Sequence, residues 1–174
     1  PHFAISVALQ KGDEIIAGMI YDVAKDECFW AEKGVGAFLD NRRLRVSGRR
    51  RLNECVLACG VPHLGHGDHA AFEKQLHSVM DRCAGVRRMG AASLDLAYVA
   101  AGRYEAFWER DLNSWDIAAG ILIVKEAGGF VSDIDEKSLE RYETQILEEL
   151  NVKEIEYVPD VECILDYKIK PNFN

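Results

Sequence analysis

Short hydrophobic runs separated by turn-forming residues fill the first sixty positions. Gly, Asn and Asp residues flank most of these runs, and Asp40-Asn41 is a strong turn signal. Runs of this length between such residues predict antiparallel strands joined by tight turns. The predicted strands are Phe3–Leu9, Ile15–Asp22, Cys28–Glu32, Leu44–Val46 and Val56–Cys59.

From His69 onward the hydrophobic spacing becomes helical. Phe72, Leu76, Val79 and Met80 share one helical face. Two more helices are predicted, one over Ser93–Ala101 that stops at Gly102 and one over Trp115–Ala127 with Ser114 as N-cap. Strands are predicted between and after the helices, and strands that alternate with helices indicate a layered α/β architecture. These strands are Val86–Met89, Tyr104–Trp108 and Phe130–Asp133.

Composition shifts near residue 135. Residues 1–135 hold 11 of the 12 arginines, whereas residues 136–174, the tail, carry a net charge of −5. The tail pattern predicts a helix over Ser138–Leu150 and strands over Val152–Val158 and Cys163–Ile169. We therefore predict an α/β body over 1–135 and a small α+β tail over 136–174.

Charge and cysteine usage restrict the classes of function. The net charge of −8 disfavours a nucleic-acid partner, because binding to the phosphate backbone depends on cationic groups. No apolar run reaches the roughly 20 residues of a membrane helix, and no signal peptide is visible. The five cysteines form no CxxC pair, as expected of reduced thiols. We expect a soluble cytoplasmic protein without a membrane partner, and the lack of an initiator Met suggests a chain cut upstream of Pro1.

The sequence Trp115-Asp116-Ile117-Ala118-Ala119-Gly120, followed by Glu126-Ala127-Gly128-Gly129, holds the strongest candidate chemistry. A carboxylate in the first turn of a helix lies at the positive end of the helix dipole and stays ionised. Asp116 is therefore a candidate ligand for a hard cation. From the residues alone, a simple helix-terminal charge explains it equally well.

This motif resembles the C-terminal signature of the inositol monophosphatase family. The resemblance extends from Pro1 to about Ile134, and the other matching segments are Pro1–Val7, residues 31–47 (AEKGVGAFLDNRRLRVS) and Arg87–Ser93. It implies an incomplete layered domain of the sugar-phosphatase type. It also implies that Asp116 is a Mg²⁺ ligand, that Gly90, Ala91 and Ala92 face the substrate through their backbone, and that Glu109 accepts a hydrogen bond from a substrate hydroxyl. Without the resemblance, close packing of small residues and a solvated strand end explain Gly90–Ala92 and Glu109.

The family chemistry also needs an upstream Glu and a DPxDGT motif, and neither is present in this sequence. One carboxylate binds Mg²⁺ weakly. Two metal ions that hold the attacking and the leaving oxygens of an in-line displacement need more ligands than this one. We expect a remnant of a Mg²⁺-dependent phosphomonoesterase of inositol or related sugar phosphates, with no catalytic residue of its own and no activity alone. The alternative is a non-catalytic module for interaction or homo-oligomerisation through apolar surface left uncovered.

The tail is similar to a segment near the C-terminus of isoleucyl-tRNA synthetases, on residues 147–158 and 167–173. This similarity suggests a chimera joined around residues 134–137. The alternative is a divergent C-terminus that caps the same sheet.

Two smaller clusters have both a functional and a structural interpretation. His63, His66 and His69, with Asp68, are spaced as possible zinc ligands, although an ordinary polar loop explains them as well. Six arginines within ten residues could bind an anion. Alternatively, their charges could keep other strands from pairing with a hairpin edge. They are Arg42, Arg43, Arg45, Arg49, Arg50 and Arg51.

Overall fold

A computed structural model describes residues 1–65 and 67–132 and the backbone of residues 163–165. Its first sheet has five antiparallel strands, and each strand pairs with the next along the chain. Two-residue turns at Gly12-Asp13 and Asp40-Asn41 close two of the hairpins, with positive φ at Gly12 and Asp40 as such turns require. The strands are β1 (Ala4–Lys11), β2 (Glu14–Asp22), β3 (Glu27–Glu32), β4 (Gly36–Leu39) and β5 (Arg42–Arg43).

The second sheet is parallel, in the order β7-β6-β8-β10-β9. The helices lie between its strands in the sequence, as in any parallel sheet with crossover connections. Its strands are β6 (Val56–Cys59), β7 (Gly85–Arg87), β8 (Ala106–Glu109), β9 (Val131–Ser132) and β10 (Cys163–Leu165). The helices are α1 (His69–Met80), α2 (Ala92–Ala100) and α3 (Ser114–Glu126).

The main core lies where α2 and α3 pack between the two sheets. Helix α3 contacts β1 to β4, and α2 contacts β8 and β2. Two glycines allow this close packing. A Cβ at Gly18 would lie 2.9 Å from Ala119 Cα, and one at Gly120 would lie 2.5 Å from Leu96 Cδ1. The layers are therefore the antiparallel sheet, the helix pair and the parallel sheet, which confirms the predicted layered α/β class.

Helix α1 covers the other face of the parallel sheet. A smaller apolar cluster forms there, and its buried members include Phe72 from α1 and Trp108 from β8. Asp68 caps the helix, because its side chain accepts a hydrogen bond from the Ala71 N–H at 3.0 Å. No helix in the described ranges is long and apolar enough to cross a bilayer.

Two local predictions are wrong. Leu44–Val46 is not a strand. The Leu44 N–H still donates to Ala37 O of β4 at 2.7 Å, but the chain then turns to the end of α3, where the Val46 N–H donates to Ala127 O at 3.2 Å. The N-cap of α3 is Asn113, not Ser114. Ser114 is the first residue of the helix, and Asp116, three residues after Asn113, completes the cap.

The tail falls almost entirely outside the described residues, including its predicted helix over Ser138–Leu150 and the strand over Val152–Val158. Within it, Cys163–Leu165 forms β10, which pairs with β8 and β9 of the parallel sheet. The domain boundary at residue 135 and the chimeric origin of the tail stay predictions.

Candidate functional site

One cleft opens at the carboxyl ends of β6 and β8, beside the start of α3. Its volume is about 440 Å³, within the range of small-molecule sites. Ligand sites of open α/β sheets lie at this same edge, because the strand-to-helix loops gather there. The residues that line it are Gly60, Val61, Pro62, His63, Gly67, Phe72, Gln75, Trp108, Glu109, Arg110, Asp111, Leu112, Asn113 and Asp116.

Asp116 enters the cleft from the first turn of α3. Its Oδ2 accepts a hydrogen bond from the Asn113 backbone N–H at 3.1 Å, which completes the cap of the helix. The first turn also places this carboxylate at the positive end of the helix dipole. Both functions weighed for Asp116 are therefore compatible: one oxygen caps the helix, and the other stays available to a cation or a donor.

Glu109 extends from the end of β8 across the backbone of Gly60. A Cβ at Gly60 would lie 1.9 Å from Glu109 Cδ, so only glycine leaves room for this carboxyl group. The hydrogen bond from Gly60 N–H to Trp108 O, 2.9 Å long, fixes the two strand ends beside each other. Glu109 and Asp116 line the same cleft, and the hydroxyl-binding and metal-binding roles expected for them stay predictions.

The cleft concentrates negative charge. Burial and, to a smaller extent, the nearby Asp116 carboxylate together raise the pKa of Glu109 to about 7, while Arg88 opposes the shift. Burial, followed by the charge of Glu109, raises the pKa of Asp95 to about 7 as well. Burial raises the pKa of Cys59 to about 11, with Asp95 and Glu109 contributing. A cation or a hydrogen-bond donor in the cleft would relieve this repulsion.

Asp95 is the group near this site that the sequence reasoning missed. Its side chain is only 1% exposed, and its Oδ1 has no hydrogen-bond partner within residues 1–65 and 67–132. The detectable signal was an acidic residue inside the apolar run Leu94-Asp95-Leu96-Ala97. Carboxylates are rarely buried without a partner, so such a position favours a functional group over a structural one.

Gly90, Ala91 and Ala92 precede the buried part of α2 and do not line the cleft. Ala91 is the N-cap of α2 and Ala92 its first residue, whereas Gly90 has a φ of +86° that favours glycine. Ala92 belongs to the same helix as Asp95. Their assignment to substrate binding stays a prediction.

Structural contacts explain part of the histidine cluster and part of the arginine cluster that the sequence showed. Asp68 caps α1, and His63 lines the cleft, while His66 lies outside the described residues. Among the arginines, Arg49 pairs with Glu105 at 2.7 Å and Arg51 pairs with Glu54. These contacts support the interpretation of a hairpin edge guarded by charge.

The divalent cation expected from the sequence has too few ligands here. Asp116 offers the carboxylate oxygen that does not cap the helix, and Glu109 and Asp111 are the other acidic residues that line the cleft. The described residues contain no group of three or more His, Cys, Asp or Glu side chains that could hold a metal ion. Mg²⁺ prefers octahedral oxygen coordination, so the described residues alone do not fit a Mg²⁺ centre.

An antiparallel sheet, a helix pair and a parallel sheet with an acidic cleft at its carboxyl edge define a layered phosphatase-like domain. A model of the inositol monophosphatase family matches residues 1–161. The chain belongs to this family. The matched range extends beyond residue 134, where the resemblance was expected to end.

Individual relatives agree with this assignment. The chain is 56% identical over 135 residues to inositol-1-monophosphatase of Mesorhizobium japonicum, which covers 78% of this chain and 51% of that protein. It is 48% identical over 137 residues to Nus factor SuhB of Pseudomonas aeruginosa, covering 76% of this chain and 50% of that one. The crystal structure of the extragenic suppressor protein suhB from Bartonella henselae matches with a TM-score of 0.71 and 55% identity, over 73% of this chain and 48% of that one. The chain thus spans about half the length of the relatives it matches.

Proposed function

We propose that residues 1–174 form the part of a phosphatase site that faces the alcohol group of a phosphate ester, together with one carboxylate for a divalent cation. The substrate class is a phosphomonoester of inositol or a related sugar, and the cofactor is Mg²⁺. The observation that carries the proposal is the convergence of Glu109 and Asp116 in one cleft at the carboxyl edge of the parallel sheet.

The two carboxyl groups suit different tasks. Asp116 is held in its orientation by the Asn113 N–H and lies at a helix N-terminus, which suits a ligand for a cation. Glu109 has a pKa of about 7, so near neutral pH it can accept or donate a hydrogen bond at a substrate hydroxyl. Hydrolysis needs further carboxylates, such as those of the DPxDGT motif in complete family members.

We expect residues 1–174 alone to release no phosphate from myo-inositol 1-phosphate at millimolar Mg²⁺. Adding the separately expressed DPxDGT-containing half of the Mesorhizobium japonicum relative should restore turnover, because it supplies the absent ligands. A colorimetric phosphate-release assay measures both. Turnover by residues 1–174 alone near the rate of an intact relative would contradict the incomplete site. A stable complex of the two halves that releases no phosphate would contradict the phosphatase proposal itself.

A second candidate function, an interaction module, is favoured by the face of the antiparallel sheet that points away from α3. This outer face consists of Phe3, just before β1, of Ile5, Val7 and Leu9 of β1, and of neighbours across β2, β3 and β4, which include Met19, Trp30 and Phe38. The side chains of Phe3, Ile5, Val7 and Leu9 are 48–58% exposed. Contiguous exposed apolar patches mark protein-binding surfaces, and two copies of one sheet face can pack against each other.

Self-association through the outer face predicts a dimer or larger species in solution. Val7→Lys should shift the protein towards monomer, because it places a charge in the middle of that face. Val35→Lys is the matched control, since Val35 is 45% exposed in a turn between β3 and β4. Analytical ultracentrifugation distinguishes the species. A monomeric wild-type protein at tens of micromolar would refute this candidate.

The expectation that nucleic acid is not a partner stays a prediction.

A further inference from the structure

Two buried aspartates of the described part of the chain differ in the partners that the fold gives them. The side chain of Asp22 is 0% exposed and that of Asp95 is 1% exposed. Asp22 accepts hydrogen bonds from the Tyr98 hydroxyl at 2.6 Å and from Lys25 Nζ at 2.9 Å. Although burial opposes the shift, these bonds lower the pKa of Asp22. In contrast, Asp95 Oδ1 has no hydrogen-bond partner within the described ranges.

The alternation of side chains in β8 places Glu109 on the sheet face that α2 covers. Phe107 belongs to the main core between the sheets, whereas Ala106 and Trp108 belong to the smaller cluster under α1. Successive side chains of a strand point to opposite faces, so Glu109 lies on the same face as Phe107. Helix α2, which carries Asp95, contacts β8. Glu109 is also the neighbouring charge that acts most strongly on Asp95, as expected of two carboxyl groups that face each other.

An ionised Asp95 would be poorly stabilised in this position. Burial and then the charge of Glu109 raise the pKa of Asp95 to about 7, and a backbone hydrogen bond from Ala91 and the charge of Arg88 oppose the shift only in part. Arg88 is exposed, and its guanidinium lies over Gly90, where a Cβ would be 2.9 Å from Arg88 Nη1. Two ionised carboxylates offer each other acceptors only, whereas a proton on one of them makes it a donor.

The other titratable side chains that act on Asp95 or respond to it do not replace this partner. Cys59 follows α2 across the end of β6, and burial, with Asp95 and Glu109 contributing, raises the pKa of its thiol to about 11. Burial and then Asp95 raise the pKa of Tyr104, just before β8. Both groups are therefore neutral near pH 7, and neither donates to Asp95 Oδ1.

We propose that Asp95 keeps its proton near neutral pH and donates it in a hydrogen bond to the Glu109 carboxylate, as a positioning residue of the site. Asp95 does not line the cleft, whereas Glu109 does, so Glu109 still presents an oxygen to a ligand. The hydrogen bond fixes the orientation of Glu109 and leaves it an acceptor. Its value for binding a substrate hydroxyl rests on the proposed function, but the hydrogen bond itself does not.

The direct test is a 13C NMR titration of the aspartate carboxyl groups of residues 1–174 in metal-free buffer, with Asp95→Asn to identify the Asp95 signal. This signal should titrate near neutral pH. In Glu109→Gln its midpoint should move to lower pH, because the neighbouring negative charge is gone. A wild-type midpoint in the ordinary range of aspartates, or the same midpoint in Glu109→Gln, would overturn the proposal.

Urea denaturation gives a second measurement that needs no variant of Glu109. Because the pKa of Asp95 is higher in the folded than in the unfolded chain, its contribution to stability is lost as pH rises through the folded pKa. Between about pH 5.5 and about pH 8, the folding equilibrium constant of wild type should fall about tenfold more than that of Asp95→Asn. Equal pH dependence of the two proteins would contradict a protonated Asp95.

Asp22→Asn is the matched control for the denaturation experiment. The pKa of Asp22 is lowered, so this group is ionised in the folded and the unfolded chain throughout the same pH range. The substitution should weaken folding to the same extent at both pH values. A loss of pH dependence in Asp22→Asn like that in Asp95→Asn would show that the effect does not belong to Asp95.

The positioning role is measured with both halves of the enzyme present. Asp95→Asn keeps a hydrogen-bond donor and should retain the KM of wild type for myo-inositol 1-phosphate. Asp95→Leu removes the donor and should raise KM about threefold to tenfold with a smaller change in kcat. An unchanged KM in folded Asp95→Leu would overturn the positioning role. Absence of turnover in the complemented wild type would instead contradict the proposed function, and the NMR titration would still decide whether Asp95 holds the proton.

Discussion

Asp116→Ala is expected to lower phosphate release by the complemented protein about a thousandfold. A metal ion that polarises a phosphoryl oxygen contributes several kcal/mol to transition-state stabilisation, and each 1.4 kcal/mol corresponds to a factor of ten in rate. Asp116 is the one carboxylate at the start of α3, and its Oδ2 already accepts from the Asn113 N–H. Alanine removes the candidate ligand while the helix remains supported by its buried face. The measurement is kcat/KM for myo-inositol 1-phosphate with both halves present.

A matched control separates loss of the ligand from loss of the cap. Asp68→Ala removes the side chain that caps α1 through Ala71 N–H, and Asp68 does not line the cleft. Each substitution should cost about 1 kcal/mol of stability, but only Asp116→Ala should abolish turnover. Equal loss of activity in the two variants would show that helix stability, and not metal binding, explains the effect.

Gly18→Val is expected to lower the free energy of unfolding by about 3 kcal/mol or more, since overpacking of a rigid core forces the backbone to move. A Cβ at Gly18 would lie 2.9 Å from Ala119 Cα and 3.1 Å from Ala119 O. These are backbone atoms of α3, so no side-chain rotation relieves the contact. The substitution separates α3 from the antiparallel sheet that it covers. Urea denaturation followed by circular dichroism gives the change.

Gly48→Val is the control for this experiment. A Cβ at Gly48 meets no atom within 4 Å, and its φ lies outside the left-handed region. The control should change stability by less than about 0.5 kcal/mol, as surface substitutions usually do. Similar losses for Gly18→Val and Gly48→Val would contradict the packing explanation.

Local patterns were sufficient for most of the secondary structure. The hairpin at Asp40-Asn41 follows from its turn residues, and α1 follows from its helical stripe of apolar residues. The failures occurred where distant contacts decide. Leu44–Val46 has the composition of a strand, but the end of α3 offers Val46 a backbone partner that competes with the sheet edge.

The candidate site was accessible from the sequence only through its strongest motif. Asp116 could be selected because a carboxylate in the first helical turn has a local physical meaning. Glu109 depended on the resemblance to a family, because a glutamate at a strand end is ordinary by itself. Asp95 was not found, since its burial and the missing hydrogen-bond partner of its Oδ1 are properties of the folded chain.

The sequence by itself determined the alternation of strands and helices, the position of Asp116 at a helix start and the family. The first two depend on periodicity, capping and turn chemistry, which act between residues close together in the chain, whereas the family follows from the resemblance of whole motifs. Only the tertiary structure decided that Gly60 makes room for Glu109, that Asp95 lies buried beside the cleft, and that Gln75 and Trp108 line its aromatic side. Those relations join residues dozens of positions apart, and their energies arise from burial and close contact once the sheets and helices have packed.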